Sequence, residues 1–553
     1  MILHRRVDSS VDPLVRARRA RGGSIHRDML PSESRRSCND APKSSLRRLL
    51  AQNFLGTIRI GFVLQTEASS WTQNYRNLYG EPVPGGSAVA ESSSRELTLA
   101  SSLESSSLPS LRTFLDDLPA AELLSVAGLA DLDYAKTALI LELEARKRHP
   151  VVRFEAPAGG APVVANIFAD RDRIARMAGT TQSGFNATWA HALEHLVPAE
   201  VVDAGPCQEV VQRGAEVDAG ALPITRHFEA DAGRYISSGI LVCKDPDTGV
   251  RNLSFQRLQL KGRDRFGASL HSRGHIWEHL QRCEARGKNL EVAVVIGCHP
   301  AIYLAAAAKV AMEVDEFAIA GALLKRPVEL VRCKTIDVEV PAAAEYVIEG
   351  EILAGTEEDE GPFGEYTGYS TYRSTRNVFV VKAITRRAEP IFLDIVPGMS
   401  NDHLLLGRSA KEAHVYGRLK EMVPNLVALN YPKSGTHFHA YLSMKKSAEG
   451  QARHALMLLL GLDSYIKLAV AVDDDVDVYN DDDVLWAMAT RFQADTDMFM
   501  VPKVFCNRLD PSAVDGMSAK LGIDATAPLD WDVQRTSLPA GAVAWARDFL
   551  DQH

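Results

Sequence analysis

The order of hydrophobic and polar positions divides the chain into stretches of different character. Residues 1–109 show no sustained period: 1–50 are rich in arginine, and 87–110 are mostly Ser, Glu, Leu and Ala. They read as a disordered extension or a misassigned translation start, with the folded protein beginning near Ser110. From 111 to 143, leucines at mixed three- and four-residue spacings predict helix. Strands are expected at 150–154 and 162–168, and helices at 173–177 and 186–196, which makes 110–204 an α/β region.

Residues 205–400 change period. Apolar runs at 235–243, 250–260, 266–270, 291–296, 328–332, 335–340, 346–352, 377–386 and 390–395 predict strands. Few helices intervene, the clearest being an alanine-rich one over 300–311 that opens on Pro300. The segment 244–249 has hairpin-turn chemistry. So many neighbouring strands predict a barrel-like antiparallel sheet. From 401 to 553 the pattern returns to α/β, with helices over 409–419, 450–461 and from Val484, and strands at 426–429, 438–444 and 466–472.

Composition narrows the function. With 46% hydrophobic and 24% charged residues, the 553-residue chain reads as an ordinary globular protein of two or three domains. No apolar run approaches the ~20 residues a membrane helix needs. A net charge of -9 argues against general nucleic-acid binding. Seven cysteines stand singly without a CxxC pair, which favours reduced thiols and the cytoplasm over disulfides or a zinc site.

The chemistry concentrates around Glu360, Gly361, Pro362, Phe363, Gly364 and Glu365. Two carboxylates five residues apart across two glycines and a proline require a tight loop, which can aim both at one point. Such a pair is unfavourable unless one acid takes a proton or a cation sits between them, and a retained proton is what a donor needs. The competing interpretation is a solvated acidic turn, since Glu357, Glu358 and Asp359 precede it. Asn252, Arg257, His275 and Glu316 are polar groups in apolar contexts; amide, imidazole and carboxylate make a mixed N/O donor set for a divalent ion. An arginine near two glutamates would hold one of them ionised and bind an anionic substrate. The acids of 473–483 read as helix and strand-end caps rather than a metal site.

Taken together, these residues resemble the UbiD-type decarboxylases, the family of ferulic acid, gallate and heteroaromatic-acid decarboxylases, over about residues 111–527. The resemblance rests on 252–257, on His275 twenty-three residues after Asn252, on Glu316, and on Glu360 forty-four residues after Glu316. It implies an N-terminal α/β region, a flavin-reductase-like split-barrel cofactor domain over 205–400 and a C-terminal oligomerisation domain over 401–553. The implied cofactor is prenylated FMN, its phosphate tethered by a divalent ion, typically manganese, with potassium nearby. Asn252, His275 and Glu316 match the family's metal ligands, and Arg257, Glu360 and Glu365 its catalytic set. Leu253, Ser254, Phe255, Gln256, Gly274 and Lys445 match further cofactor contacts.

The implied reaction is reversible, non-oxidative decarboxylation of an aromatic, heteroaromatic or α,β-unsaturated acid, with Glu365 protonating the carbon that loses CO2. Dependence on a flavin prenyltransferase and a homodimer or higher oligomer follow from the same resemblance. Residues 399–403, 404–408 and 437–439 are expected to line the substrate pocket, and their histidines suit a phenolic or heteroaromatic acid. The rivals are polyprenyl-4-hydroxybenzoate decarboxylation in ubiquinone synthesis, a branch with glycine in place of His275, and a catalytically silent flavin-binding protein. Asn252 and Arg257 differ by an odd number, so an unbroken strand would point them to opposite faces; a bulge or strand end is expected between them.

Overall fold

The computed structural model describes residues 108–129, 131–155, 160–270 and 274–551. The reading of 1–107 therefore falls outside the described residues. Helix α1 (Leu111–Asp116) opens on a reciprocal cap, in which Ser110 Oγ accepts from Thr113 N and Thr113 Oγ1 from Ser110 N. The helix expected over 111–143 is not continuous. Pro119 lacks an N–H and Gly128 takes φ +83°, so Leu123 and Leu124 enter strand β1 (Leu123–Val126) and helix resumes as α2 (Ala135–Ala145). Strands β2 (Val151–Phe154) and β3 (Val163–Ala165) follow, then α3 (Arg171–Met177) and α4 (Phe185–Glu194).

Two strands with no clear sequence signal, β4 (Glu200–Val202) and β5 (Val210–Arg213), lead into the central sheet. Its members are β6 (Tyr235–Ile236), β7 (Ile240–Lys244), β8 (Arg251–Phe255), β9 (Arg257–Gly262), β10 (Arg265–Ser269), β11 (Leu290–Ile296), β14 (Tyr346–Glu357) and β17 (Asn377–Arg386). They pair antiparallel in the order β6-β9-β10-β17-β14-β11-β7-β8, with β5 added beside β17. Consecutive strands β8 and β9 thus lie on opposite sides of the sheet, β8 at one end and β9 one strand in from the other, with Gln256 alone between them. The sheet must curl until its two ends meet, so Gln256 bridges the seam of a split barrel. This is the strand break that the odd spacing of Asn252 and Arg257 requires.

Helices α5 (His275–Glu284), α6 (Pro300–Ala306) and α7 (Glu316–Leu324) pack on the β8 lip of the seam. Helix α6 stops five residues short of the expected 311, its end closed by Ala307 N on Leu304 O and Ala308 N on Ala305 O. Short strands β12 (Glu329–Arg332) and β13 (Glu339–Pro341) join β4 in a separate three-stranded sheet. The hairpin β15 (Phe363–Gly364) with β16 (Ser370–Thr371) carries the acidic loop. The run at 390–395 leaves the barrel: β18 (Phe392–Leu393) pairs parallel with β3, completing a mixed sheet β1-β2-β3-β18. Arg387 N already turns back onto Glu345 O, and Pro390 has no N–H to extend the barrel ladder.

Helix α8 (Asn401–Met422) begins eight residues before the expected 409, because Ser400 Oγ accepts from His403 N and caps it there. Strands β19 (Leu426–Asn430), β20 (His439–Met444) and β21 (Leu468–Asp473), helices α9 (Gln451–Leu462) and α10 (Asp481–Arg491), and strands β22 (Met498–Phe505) and β23 (Met517–Asp524) complete a five-stranded sheet over its own core. The acidic stretch is structural: Asn480 caps α10, three aspartates fill its first turn, and Arg491 bonds Asp473 and Asp475. A last helix, α11 (Ala540–Asp551), leaves Trp545 and Leu550 exposed. Among the described residues no helix is long and apolar enough to cross a membrane.

Strand β14 shifts register against β17 at Gly350, where an added Cβ would stand 2.1 Å from Val380 O. Gly350→Ala should therefore destabilise the barrel by about 1–3 kcal/mol, the usual range for overpacking. A denaturation midpoint equal to that of the parent protein would show that the strands relax there without cost.

Candidate active site

The acidic loop is held from several sides. Gly361 N donates to Gln259 Oε1 at 3.3 Å and Gly364 N to Asp231 Oδ1 at 2.9 Å, while Asp231 Oδ2 accepts from Phe228 N. Ala232 N donates to Pro362 O at 2.8 Å. Gly361 lies at φ +94° and is joined to Pro362 by a cis peptide. A Cβ on Gly364 would come within 2.4 Å of the Phe228 ring, so the close approach requires glycine. Past β15, Glu365 N donates to Tyr369 O and Gly368 N to Glu365 O, closing the turn that presents the second acid.

Arg257, the first residue of β9, stands between the two acids. Its Nε and Nη2 donate to the two oxygens of Glu360 at 3.0 and 2.8 Å, and its Nη1 to Glu365 Oε1 at 2.5 Å. Nη2 also donates to Arg373 O, and the guanidinium lies 5.0 Å over the Phe363 ring. The Glu360 side chain is 0% exposed and the Glu365 side chain 14%. Burial alone would lower the Arg257 pKa, but hydrogen bonds and charge from Glu360, then the charge of Glu365, hold it above its ordinary value. Of the two ways to gather a carboxylate pair, the chain uses the interposed cation.

Across the seam, on the β8 lip, Asn252 Nδ2 donates to Glu316 Oε1 at 2.9 Å and lies 3.3 Å from His275 Nδ1. Leu253 N donates to Glu316 Oε2 at 3.0 Å. Each partner opens a helix: Gly274 and His275 start α5, and Glu316 starts α7, whose cap Asp315 is gripped by Arg251 of β8. The buried Asn252 Oδ1 and Ser254 Oγ have no partner among the described residues. Burial pushes Glu316 up to about 8, and burial lowers His275. A neutral imidazole, an amide with an orphaned oxygen and a buried carboxylate fit the donor set of a hard or borderline divalent cation. Among the described residues there is no group of three His, Cys, Asp or Glu that could hold a metal, so any such site depends on the amide.

The expected pocket segments divide. His403, in the first turn of α8, is close enough to Glu365 to feel its charge, and its Nδ1 donates to Gly398 O at 3.0 Å. His437 packs edge-on against Tyr366, the neighbour of Glu365, with ring centroids 4.8 Å apart. Arg408 turns away and donates to Tyr431 O. Lys445 is not brought to these groups: it is exposed on the turn after β20, its backbone paired with Asn425, at the opposite end of the strand from His437. Lys411 and Tyr366 escaped the sequence reading. Lys411 Nζ is buried 2.5 Å from Asp463 and 4.1 Å over the Tyr465 ring, and burial pulls it down to about 8. The eight-residue step from His403 to Lys411 puts both on one face of α8, a signal that was available once the helix start was known.

Three family models match in succession: the N-terminal domain of 3-octaprenyl-4-hydroxybenzoate carboxy-lyase at 120–193, its Rift-related domain at 200–400 and its C-terminal domain at 404–525. The anhydromevalonate phosphate decarboxylase of Methanothermobacter thermautotrophicus is 33% identical over 427 residues, 76% of this chain and 97% of that protein. Among solved structures, the UbiD-class enzyme HmfF of Pelotomaculum thermopropionicum in complex with FMN is 39% identical with a TM-score of 0.76, over 80% of this chain and all of that one. An evolved dimeric form of the same enzyme, in complex with prFMN, gives 37% and 0.72 over 78% and 98%. The 3,4-dihydroxybenzoic acid decarboxylase of Klebsiella pneumoniae gives 27% and 0.74 over 80% and 100%. On these matches the chain belongs to the UbiD family of carboxy-lyases.

Proposed function

We propose that this enzyme decarboxylates a small aromatic, heteroaromatic or α,β-unsaturated acid with prenylated FMN bound at the barrel seam. The observation that carries the reading is Arg257 gripping Glu360 and Glu365 on one lip while Asn252, His275 and Glu316 gather on the other. Asn252, His275 and Glu316 would hold the divalent ion that tethers the flavin phosphate, manganese with potassium alongside. When bound, the prenylated flavin takes up the electron density left by departing CO2.

The chain's own residues do the rest. Arg257 has five N–H donors, and four are occupied by Glu360, Glu365 and Arg373. One N–H on Nη1 remains to receive the substrate carboxylate. Glu360, bidentate and fully buried, fixes the guanidinium plane. Glu365 has a single bond to Arg257 and is the more exposed acid, so it is the one able to take up a proton from solvent and deliver it to the carbon that loses CO2.

The distal end of the substrate meets His403, His437, Tyr366 and, deeper, Lys411. This polar and aromatic wall favours a phenolic or heteroaromatic acid over one carrying a polyprenyl tail. A second reading, a substrate ending in phosphate as in the name of the Methanothermobacter relative, is favoured by the two lysines, Lys309 and Lys411, set over the Tyr465 ring. Free thiols at all six described cysteines accord with a cytoplasmic enzyme. A flavin prenyltransferase is the partner that must supply the cofactor.

The C-terminal unit would join a second copy. Edge strand β22 exposes Met500 and Phe505, and α11 exposes Trp545 and Leu550, an apolar surface that a monomer would leave in water. Met500→Glu with Trp545→Glu should shift the mass in light scattering from oligomer to monomer; an unchanged mass would remove this face as the interface.

The function itself is tested by co-expression with a flavin prenyltransferase and a screen of aromatic and unsaturated acids for CO2 release. Glu365→Gln should lower turnover at least ~10²-fold, within the range of a lost acid catalyst, with the flavin spectrum retained. Retained turnover would remove Glu365 as donor. His275→Ala should instead weaken retention of metal and flavin by at least ~10-fold, measured by metal analysis and absorbance after gel filtration. A fully loaded His275→Ala protein would refute the ligand set.

A further inference from the structure

Asp402 is the second residue of α8, where an acid ordinarily serves the free N–H groups of its own helix. It does not do so here. Its carboxylate, on a residue 0% exposed, accepts from three backbone N–H groups of other segments: Phe168 N at 2.8 Å, Asn166 N at 3.0 Å and Val396 N at 3.4 Å. The first two come from the N-terminal α/β part, where Asn166 takes φ +67° and Arg173 holds the carbonyls of Asn166 and Ile167. Val396 begins the loop that returns from the mixed sheet to α8.

That loop is drawn tight and pressed on the acid hairpin. Ser400 Oγ donates to Val396 O, and His403 Nδ1 donates to Gly398 O. A Cβ on Gly398 would stand 2.9 Å from the Phe228 ring and 3.9 Å from Glu365 O; one on Gly368 would stand 2.8 Å from Met399 Sδ. The loop 396–400 is therefore the backing of the turn that presents Glu365, and Asp402 ties that loop to the N-terminal α/β part.

We propose that Asp402 is a positioning residue for proton delivery: its three-way clasp sets loop 396–400, and through it the aim of Glu365. The inference rests on Glu365 being the donor. Decarboxylation breaks the bond between the substrate carbon and its carboxylate carbon, releasing CO2, and forms a C–H bond with the proton of Glu365. Exchange of labelled CO2 into the substrate carboxyl breaks and remakes the first bond without needing the second step, so it reads the site with the proton donor left out.

In the holoenzyme, Asp402→Asn keeps one oxygen to accept from Asn166 and Val396 but turns an N–H2 toward Phe168 N; Asp402→Ala removes all three bonds. Using whichever acid the screen identifies and ¹³C-bicarbonate, net turnover of Asp402→Asn should fall ~10–100-fold, the scale of a misplacement near 1 Å, while KM and label exchange stay within about threefold of the parent. Asp402→Ala should fall further, with Asn the partial rescue. If exchange and turnover drop together, or Asp402→Asn turns over like the parent at equal flavin loading, the proposal is overturned, and the Asn variant decides even where Ala fails to fold. Glu365→Gln run beside them separates the two ideas: should it keep turnover, the donor assignment fails whatever Asp402 does.

Discussion

The structure depends on one guanidinium held between a buried and a half-buried carboxylate at the seam of an open barrel. Taking three charges out of water is costly, and the cost is met only where geometry is good and the remaining lone pairs are bonded. Arg257 satisfies that condition with a bidentate grip on Glu360, a single bond to Glu365 and a backbone carbonyl from Arg373. The loop must therefore be rigid before the charges arrive. Asp231 supplies much of that rigidity: it is buried, burial raises its pKa, and backbone N–H groups of Phe228, Gly364 and His227 oppose that rise by favouring its carboxylate form. An ordinary salt bridge would not need such a support; an acid that must be aimed does.

The two lips of the seam treat charge in opposite ways. On the β9 lip the chain brings its own cation to its acids. On the β8 lip Glu316 bonds an amide and a backbone N–H, with no lysine or arginine against it among the described residues, and it is pushed up to about 8. Among the described residues one lip is complete as built, and the other has no positive charge against its acid and leaves Asn252 Oδ1 and Ser254 Oγ unbonded. A guest carrying a cation and a phosphate would complete the second lip. The strand break at Gln256 makes the pair of lips possible, because a continuous β8–β9 strand would have sent Asn252 and Arg257 to opposite sides.

Much of this was legible in the sequence where a local rule is strict. The odd interval between Asn252 and Arg257 demanded a break, the glycines and proline of 361–364 demanded a loop, and the acids of 473–483 fell where caps belong. What was not legible depends on partners distant in the chain. The run at 390–395 has strand character whichever sheet receives it, and only Pro390 and the turn at Arg387 send it to β3. Leu123 and Leu124 fit a helical period as well as a strand, and Pro119 with Gly128 decides the matter. The start of α8 was obscured by a first turn of Asn401, Asp402 and His403, which looks like a loop until Ser400 is recognised as a cap. Lys411, inside the expected helix, carried no local sign of its burial against Asp463, and Lys445, implied by the resemblance, lies at the far end of β20 from His437.

The division of labour across the site follows from which parts are rigid. The acid–arginine set and the β8 cluster stand on barrel strands and helix starts tied by backbone hydrogen bonds, so their geometry can stay fixed while sequences drift. The wall that meets the rest of the substrate is different. His403 and Lys411 project from one face of α8, and His437 and Tyr465 come from the C-terminal unit, whose core is its own. Lys411 and Tyr465 touch neither Arg257 nor Glu365, whereas His403 holds Gly398 in the loop behind the Glu365 turn. Helix α8 nevertheless links the two, since it carries His403 and Lys411 and begins at the clasp that backs the Glu365 turn. Substitutions deep in α8 would alter that wall alone, whereas those in its first turn would also reach the support of Glu365.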